Sequence, residues 1–392
     1  MDNHLFSNKI SNLAPSAIRE ILKATSRPGV IPFAAGNPAP EAFPIEQVRD
    51  ITARLLETRP VDCLQYGITE GYAPLRERVR EDAKTRLGIG TDADDLIITS
   101  GATQVIDLAA KVLCNEGDVV ICESPSFIGS LNAFRSYGVK LRGVPMQHDG
   151  INIDHLEQIL RTERNVRFIY TIPNFQNPSG LTMSLEKRRR VYELARQYGV
   201  LILEDNPYGE LKYEKAALPC IKALDEDGRV VYAGSFSKIL SPGLRVGYAL
   251  APQPIIAKMT VGKQASDVHT TILAQLIVDE WLQHCDVAAH IKRIRVIYAA
   301  KRDLMCNGLA NTVLSFQRPA GGLFLWCELP SHIRMLDLAK RAIEANVAVV
   351  PGSAFAVEPS DAINAVRLNF STPTDEQLAQ GVEILKSVLA SF

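Results

Sequence analysis

Between residues 95 and 250, short β-branched runs alternate with stretches of helical periodicity, and this alternation constrains the fold more than any other feature. The runs LIIT (96–99), VVICE (119–123), VKLRGV (139–144), VRFIYTI (166–172), VLILED (200–205), RVVYAG (229–234) and LRVGYALA (244–251) are mostly apolar throughout. Such continuous apolar character marks strands covered on both faces, as in a parallel or mixed sheet. The segments between them read as helices. TQVIDLAAKVLCNEG places Val105, Ile106, Ala109, Val112 and Leu113 on one face and meets a stop signal at Gly117. SLEKRRRVYELARQYG runs from a capping residue, Ser184, to a terminating Gly199. Strands and helices in this order predict a doubly wound α/β domain around a seven-stranded, mostly parallel sheet.

The two ends of the chain follow another pattern. Residues 15–25 (PSAIREILKAT) and 45–57 read as amphipathic helices, and residues 255–315 are mainly helical. From 322 to 392 the strands LFLWCEL, VAVVPG and AVRLNFS alternate with helices at 334–345 and 374–391. The expectation is a large domain over 51–295 and a smaller α+β domain. The smaller one combines an N-terminal helix and arm (1–50) with residues 296–392. A length of 392 residues suits two such units better than one small core.

Charge and cysteine content narrow the class of ligand. With 43 basic and 44 acidic residues, the net charge of −1 leaves no footprint for nucleic acid or an anionic membrane. No apolar run is long enough to span a bilayer, and the first residues lack the pattern of a secretory signal. Seven scattered cysteines do not suggest a disulfide framework, and the absence of CxxC or HExxH argues against a metal site. A soluble, cytoplasmic protein acting on small molecules is expected.

Ligands of open α/β sheets bind beyond the carboxyl ends of the strands. After 96–99 comes SGATQ, in which Gly101 precedes the N–H groups of Ala102, Thr103 and Gln104, a place for a phosphate at a helix start. SPSF brings Phe127, PNFQNPSG brings Asn177, and the run 200–205 ends on Asp205 before NPYG and its Tyr208. Ser235, Ser237 and Lys238 follow 229–234, and Arg245 opens the next run. Singly, these are a turn, a core ring, a cap and solvated cations. Gathered at one edge, they suit a phosphorylated, flat, cationic heterocycle.

The set SFSK…PGLRVG with NPSG and EDNPYGEL, in this order and spacing, resembles the pyridoxal-phosphate enzymes of the aspartate aminotransferase fold. The likeness continues through FAAGNPAPEAFP, QYGITEGYAPLRE and RLNFS, and so covers nearly the whole chain. Its pattern is nearest to the branch holding 2-aminoadipate and kynurenine aminotransferases and the C-terminal halves of MocR-type regulators. The resemblance implies fold type I, a pyridoxal 5′-phosphate cofactor and a homodimer with shared active sites. It implies that Lys238 binds the cofactor aldehyde as a Schiff base and then shuttles protons. Ser235, Ser237 and Arg245 would hold the phosphate, and Asp205 would pair with the ring nitrogen. Tyr208 and Asn177 would contact the ring's phenolic oxygen, and Phe127 would stack on the ring. Arg367, with Asn177, would clamp the substrate carboxylate. Tyr66 would reach the phosphate of the neighbouring subunit, and Gly36 would line the substrate pocket. Arg19, on the first helix, would meet a distal carboxylate.

The activity implied is transfer of an amino group from an L-amino acid (2-aminoadipate, glutamate, aromatic or branched-chain) to a 2-oxo acid such as 2-oxoglutarate. A C–S or β-elimination lyase on the same fold is the alternative. A non-catalytic cofactor-binding effector module is disfavoured, because about 35 residues precede GNPAPEAFP and a winged-helix domain needs more.

Overall fold

The computed structural model describes residues 5–11, 28–213 and 218–392. Its large sheet contains β1 (Asp94–Thr99), β2 (Val119–Ser124), β3 (Lys140–Gln147), β4 (Gly150–Ile151), β5 (Val166–Thr171), β6 (Leu201–Asp205), β7 (Val230–Ser235) and β8 (Gly247–Pro252). Their order across the sheet is β1-β8-β7-β6-β5-β2-β3-β4. The sheet therefore has one strand more than the expected seven. The extra strand, β4, is a two-residue return on the end of β3, pairing Met146 with Ile151 and Gln147 with Gly150. Two residues are too few to leave a period in the sequence.

Alternation along each strand divides the interior into two cores. Val120, Cys122, Phe168 and Tyr170 join the larger cluster, with Val105, Ile106 and Ala109 of the helix Ala102–Leu113. Val119, Ile121, Ile169 and Ile202 face the other way, onto Leu156, Ile159, Val191 and Leu194 of the helices Ile153–Thr162 and Leu185–Tyr198. Period-two alternation between two covered faces is why these runs look uniformly apolar. Helix ends follow local chemistry. Ser184 accepts from the Lys187 N–H, and Gly199 closes that helix at φ 70°. The helix Ala102–Leu113 stops before Gly117, which turns the chain at φ 86° on its way to β2.

Strand direction decides what reaches the ligand edge. β2, β3, β5, β6 and β7 are mutually parallel, and β8 runs antiparallel to both β7 and β1. The carboxyl ends of β1, β2, β5, β6 and β7 thus share one edge with the amino end of β8. Arg245, expected to open a strand, lies just before β8 with a left-handed φ of 53° and so delivers its side chain to that edge.

A second sheet, with the order β10-β11-β9, contains β9 (Phe324–Glu328), β10 (Val350–Pro351) and β11 (Ala365–Asn369), all antiparallel. Residues 31–34 run beside it: Ile31 bridges Val347, and the Asn369 N–H donates to Phe33 O at 2.7 Å. The helix Asp375–Leu389 begins at a capping box of Thr374 and Gln377. Among the described residues, no helix is long and apolar enough to cross a membrane, and no cluster of His, Cys, Asp or Glu could hold a metal. Arg19 lies outside the described residues.

Candidate active site

A cavity of about 350 Å³ opens at the shared edge. Gly36, Ala102, Thr103, Phe127, Asn177, Asp205, Tyr208, Ser235, Ser237, Lys238, Arg245 and Arg367 all line it, so the fold brings together most of the residues expected at the site. Gly101 stands behind it as the N-cap of the helix Ala102–Leu113, at φ 80°. A Cβ at position 101 would lie 2.8 Å from Cζ of Arg245, so only glycine lets this guanidinium lie across the helix start. Arg245 Nη2 donates to Ser100 O at 3.1 Å. Gly247 performs a matching service one strand away, where a Cβ would meet the Ala102 nitrogen at 2.7 Å.

The first-turn N–H groups of Ala102 and Thr103 have no acceptor within a helix that starts at Ala102. The Gln104 N–H differs, since it donates to Gly101 O at 3.1 Å. Its side chain also turns away from the cavity. Gln104 Oε1 accepts from Lys263 Nζ (2.6 Å) and the Ser100 N–H (2.8 Å), while Nε2 donates to Asp267 (2.8 Å). Gln104 thus braces the loop from behind.

Lys238 Nζ donates to the Gly36 carbonyl at 2.9 Å. Burial, and then the positive charges of Arg245 and Arg367, lower its pKa from 10.5 to about 8. A Cβ on Gly36 would meet the Phe324 ring at 3.2 Å, so a side chain there would crowd the site. Asp205 is buried, and burial is the main cause raising its pKa to about 7. The Tyr170 hydroxyl donates to Asp205 Oδ2 at 2.8 Å and opposes that rise, while the Glu123 carboxylate adds to it.

Arg367 is buried between two rings, with its guanidinium carbon 4.2 Å from the Phe324 centroid and 4.9 Å from that of Phe355. Nη1 donates to Asn177 Oδ1 and Nη2 to Ala34 O, both at 2.8 Å. Burial lowers even this group's pKa, from 12.5 to about 10. Asn177 reaches the Tyr208 hydroxyl through Nδ2 at 3.5 Å, and burial raises the Tyr208 pKa.

Four buried side-chain polar atoms lack a hydrogen-bond partner among the described residues, and two of them, Asp205 Oδ1 and Arg367 Nε, belong to residues of this cavity. An orphaned carboxylate oxygen and an orphaned guanidinium N–H are costly unless a ligand meets them. Tyr66 is not part of this lining. It is 81% exposed, edge-on to His269 at 5.7 Å.

The profile of the family "Aminotransferase class I and II" matches residues 28–385. The chain belongs to that family. It is 40% identical to the 2-aminoadipate transaminase of Thermus thermophilus, over 98% of this chain and 96% of that one. It is 38% identical to aromatic-amino-acid aminotransferase 1 of Thermococcus litoralis, over 98% and 94% of the two chains. The solved kynurenine aminotransferase of Pyrococcus horikoshii, in complex with PMP, superposes with a TM-score of 0.95. That match covers 99% of this chain and 97% of the other at 36% identity. The resemblance read from the sequence thus holds, and the protein is an aminotransferase.

Some contacts of this aminotransferase site carry no signal in the sequence. Phe324 and Phe355 sandwich Arg367, yet LFLWCEL reads only as a strand and Phe355 carries no pattern of its own. Tyr170 is different: a tyrosine inside a strand buried on both faces needs a hydrogen-bond partner for its hydroxyl, and that need is a usable signal.

Proposed function

We propose that the cavity binds pyridoxal 5′-phosphate and that the protein moves an amino group from an L-amino acid to a 2-oxo acid such as 2-oxoglutarate. The observation that carries this reading is the pairing of a lysine of lowered pKa with two orphaned ionic groups, Asp205 Oδ1 and Arg367 Nε, in one cavity. The residues fit this cofactor's chemistry. The N–H groups of Ala102 and Thr103, the hydroxyls of Ser235 and Ser237, and Arg245 would hold a phosphate. Asp205 Oδ1 would face the cationic ring nitrogen, Tyr208 and Asn177 the phenolic oxygen, and Phe127 the ring face. Lys238 would hold the aldehyde carbon through Nζ.

When bound, the cofactor supplies an electron sink for the substrate's α-carbon. The chain does the rest. Arg367 orients the substrate by its carboxylate and replaces the water that group would otherwise keep. Lys238 Nζ, neutral in a useful fraction near pH 8, takes the proton from the substrate's α-carbon and gives it up again. Buried Asp205 stays ionised opposite a cation although its unliganded pKa is raised.

The donor named for the relatives, 2-aminoadipate, kynurenine or an aromatic amino acid, is the class proposed here. The phenyl ring of Phe324, which lines the cavity next to Arg367, supports apolar or aromatic side chains. Arg19 remains the proposed contact for a distal carboxylate. We further propose a homodimer, supported by exposed Val61, Leu64, Tyr66 and Ile68 side by side in the chain, with Tyr66 serving the partner's phosphate. A cytoplasmic setting is proposed from seven free cysteines. The test is an absorbance screen of the half-reaction. A donor amino acid should convert the yellow aldehyde form to the amine form, and 2-oxoglutarate should restore it. Release of ammonia without an acceptor would favour the lyase reading.

A further inference from the structure

Asp205 is held by a relay that no sequence motif marks. Tyr170 on β5 is fully buried, and its hydroxyl stands between two partners. It receives a hydrogen bond from Ser130 Oγ at 2.7 Å and donates to Asp205 Oδ2 at 2.8 Å. Because the serine donates, the tyrosine's own proton is directed at the carboxylate. The ring is fixed edge-on against Phe134, with centroids 5.3 Å apart. Ser130 lies on the helix Ile128–Ser136, whose N-cap is Phe127. One rigid connection therefore joins two cavity walls, the platform ring of Phe127 and the carboxylate of Asp205. It occupies Oδ2 and leaves Oδ1 as the carboxylate's only unpartnered atom.

We propose that Tyr170, braced by Ser130, is a positioning residue that fixes which oxygen of Asp205 faces the cofactor ring and holds that oxygen in register with Phe127. A carboxylate on a two-fold terminal torsion turns readily unless one oxygen is pinned. Pinning Oδ2 keeps Oδ1 oriented before the ligand arrives, so less ordering is left to occur on binding. The inference rests on the cofactor reading above, and its test separates the two.

The test compares pyridoxamine 5′-phosphate with its analogue carrying CH in place of the ring nitrogen, both bound to apoprotein and measured by equilibrium dialysis. The analogue cannot engage Asp205. Wild-type protein should prefer the nitrogen compound; equal binding of the two would overturn the relay and the Asp205 contact, and no binding of either would overturn the cofactor reading. In Tyr170→Phe the nitrogen compound should weaken about tenfold, the scale of one charge-assisted hydrogen bond. The analogue should change by less than about twofold on the same scale. Equal losses for both ligands, or no loss for either, would overturn the relay while leaving the cofactor reading in place. Ser130→Ala, which keeps the tyrosine, should show the same selective loss at smaller size. If Tyr170→Phe does not fold, Ser130→Ala decides between the same outcomes.

Discussion

Two cavities share Pro207 and Ser235 as a wall, and the larger one is the less suited to chemistry. The larger, of about 780 Å³, is lined by Phe236, Tyr232 and Tyr248 together with Asp82, Arg86, Glu210 and Arg295. Those four charged groups are bound to one another. Arg86 meets Asp82 and Glu210, each at 2.6 Å, and Arg295 meets Glu210 at 3.0 Å. Asn206 is likewise tied to Tyr232 at 2.8 Å and to Asn174 at 2.9 Å. Among the described residues, the buried side-chain atom of this lining without a partner is a neutral hydroxyl, Thr182 Oγ1, and the remaining cation, Lys212, is only half-buried. The cavity of about 350 Å³ across the wall instead leaves a carboxylate and a guanidinium with open valences beside a destabilised ammonium. Volume says little about function; ionic groups held without partners say much more.

The sharpest way to break this contrast is Lys238→Met. Turnover should fall below detection, because the amine proposed to take the α-proton is lost. The apoprotein should, in turn, become more stable at pH 7. A lysine titrating at about 8 in the folded chain and 10.5 in the unfolded one destabilises the fold fully below pH 8. That penalty fades as pH rises from 8 to 10.5. At ~1.4 kcal/mol per pH unit it is at most about 3.5 kcal/mol, less about 1 kcal/mol for the stranded Gly36 carbonyl. Denaturant melts at pH 7 and pH 10 measure it. A variant less stable than wild type at pH 7 contradicts the assignment of Lys238 as a strained, ligand-seeking amine.

Asp205→Asn should be the next largest in effect. The side chain keeps its shape, so cofactor should still bind, while turnover falls about a hundredfold as in other losses of a preorganised charge. Single-turnover kinetics with the bound cofactor would show it, and near-normal rates would remove Asp205 from the mechanism. In the larger cavity, Arg86→Ala should do least. Its pairs are partly exposed, and its loss should cost under about 1 kcal/mol with no change in kcat. A marked drop in turnover would give the second cavity a function that the contrast denies it.

Most of the site's components are legible because its residues sit at strand ends and loops whose residue types are constrained by backbone chemistry. NPSG, NPYG and SFSK can be placed on one edge from strand order alone. Other features are not legible. Arg245 looks like the start of a strand, because its left-handed φ comes from the loop before β8 and leaves no trace in residue type. Other inner supports, Glu123 and the rings around Arg367, lie in apolar runs, where a core position and a supporting one look alike. Gln104 attracts notice for its N–H, but that N–H closes a turn and its side chain pairs with Lys263, 159 positions away in sequence. Contacts of that separation are set by packing and have no local signature.

The most direct measurement is borohydride reduction of the yellow holoprotein followed by peptide mapping. Reduction should fix a single phosphopyridoxyl group per chain on Lys238, and Lys238→Met should take up no label. A label on Lys263, Lys222 or any other amine, or reducible cofactor retained by Lys238→Met, would contradict the account.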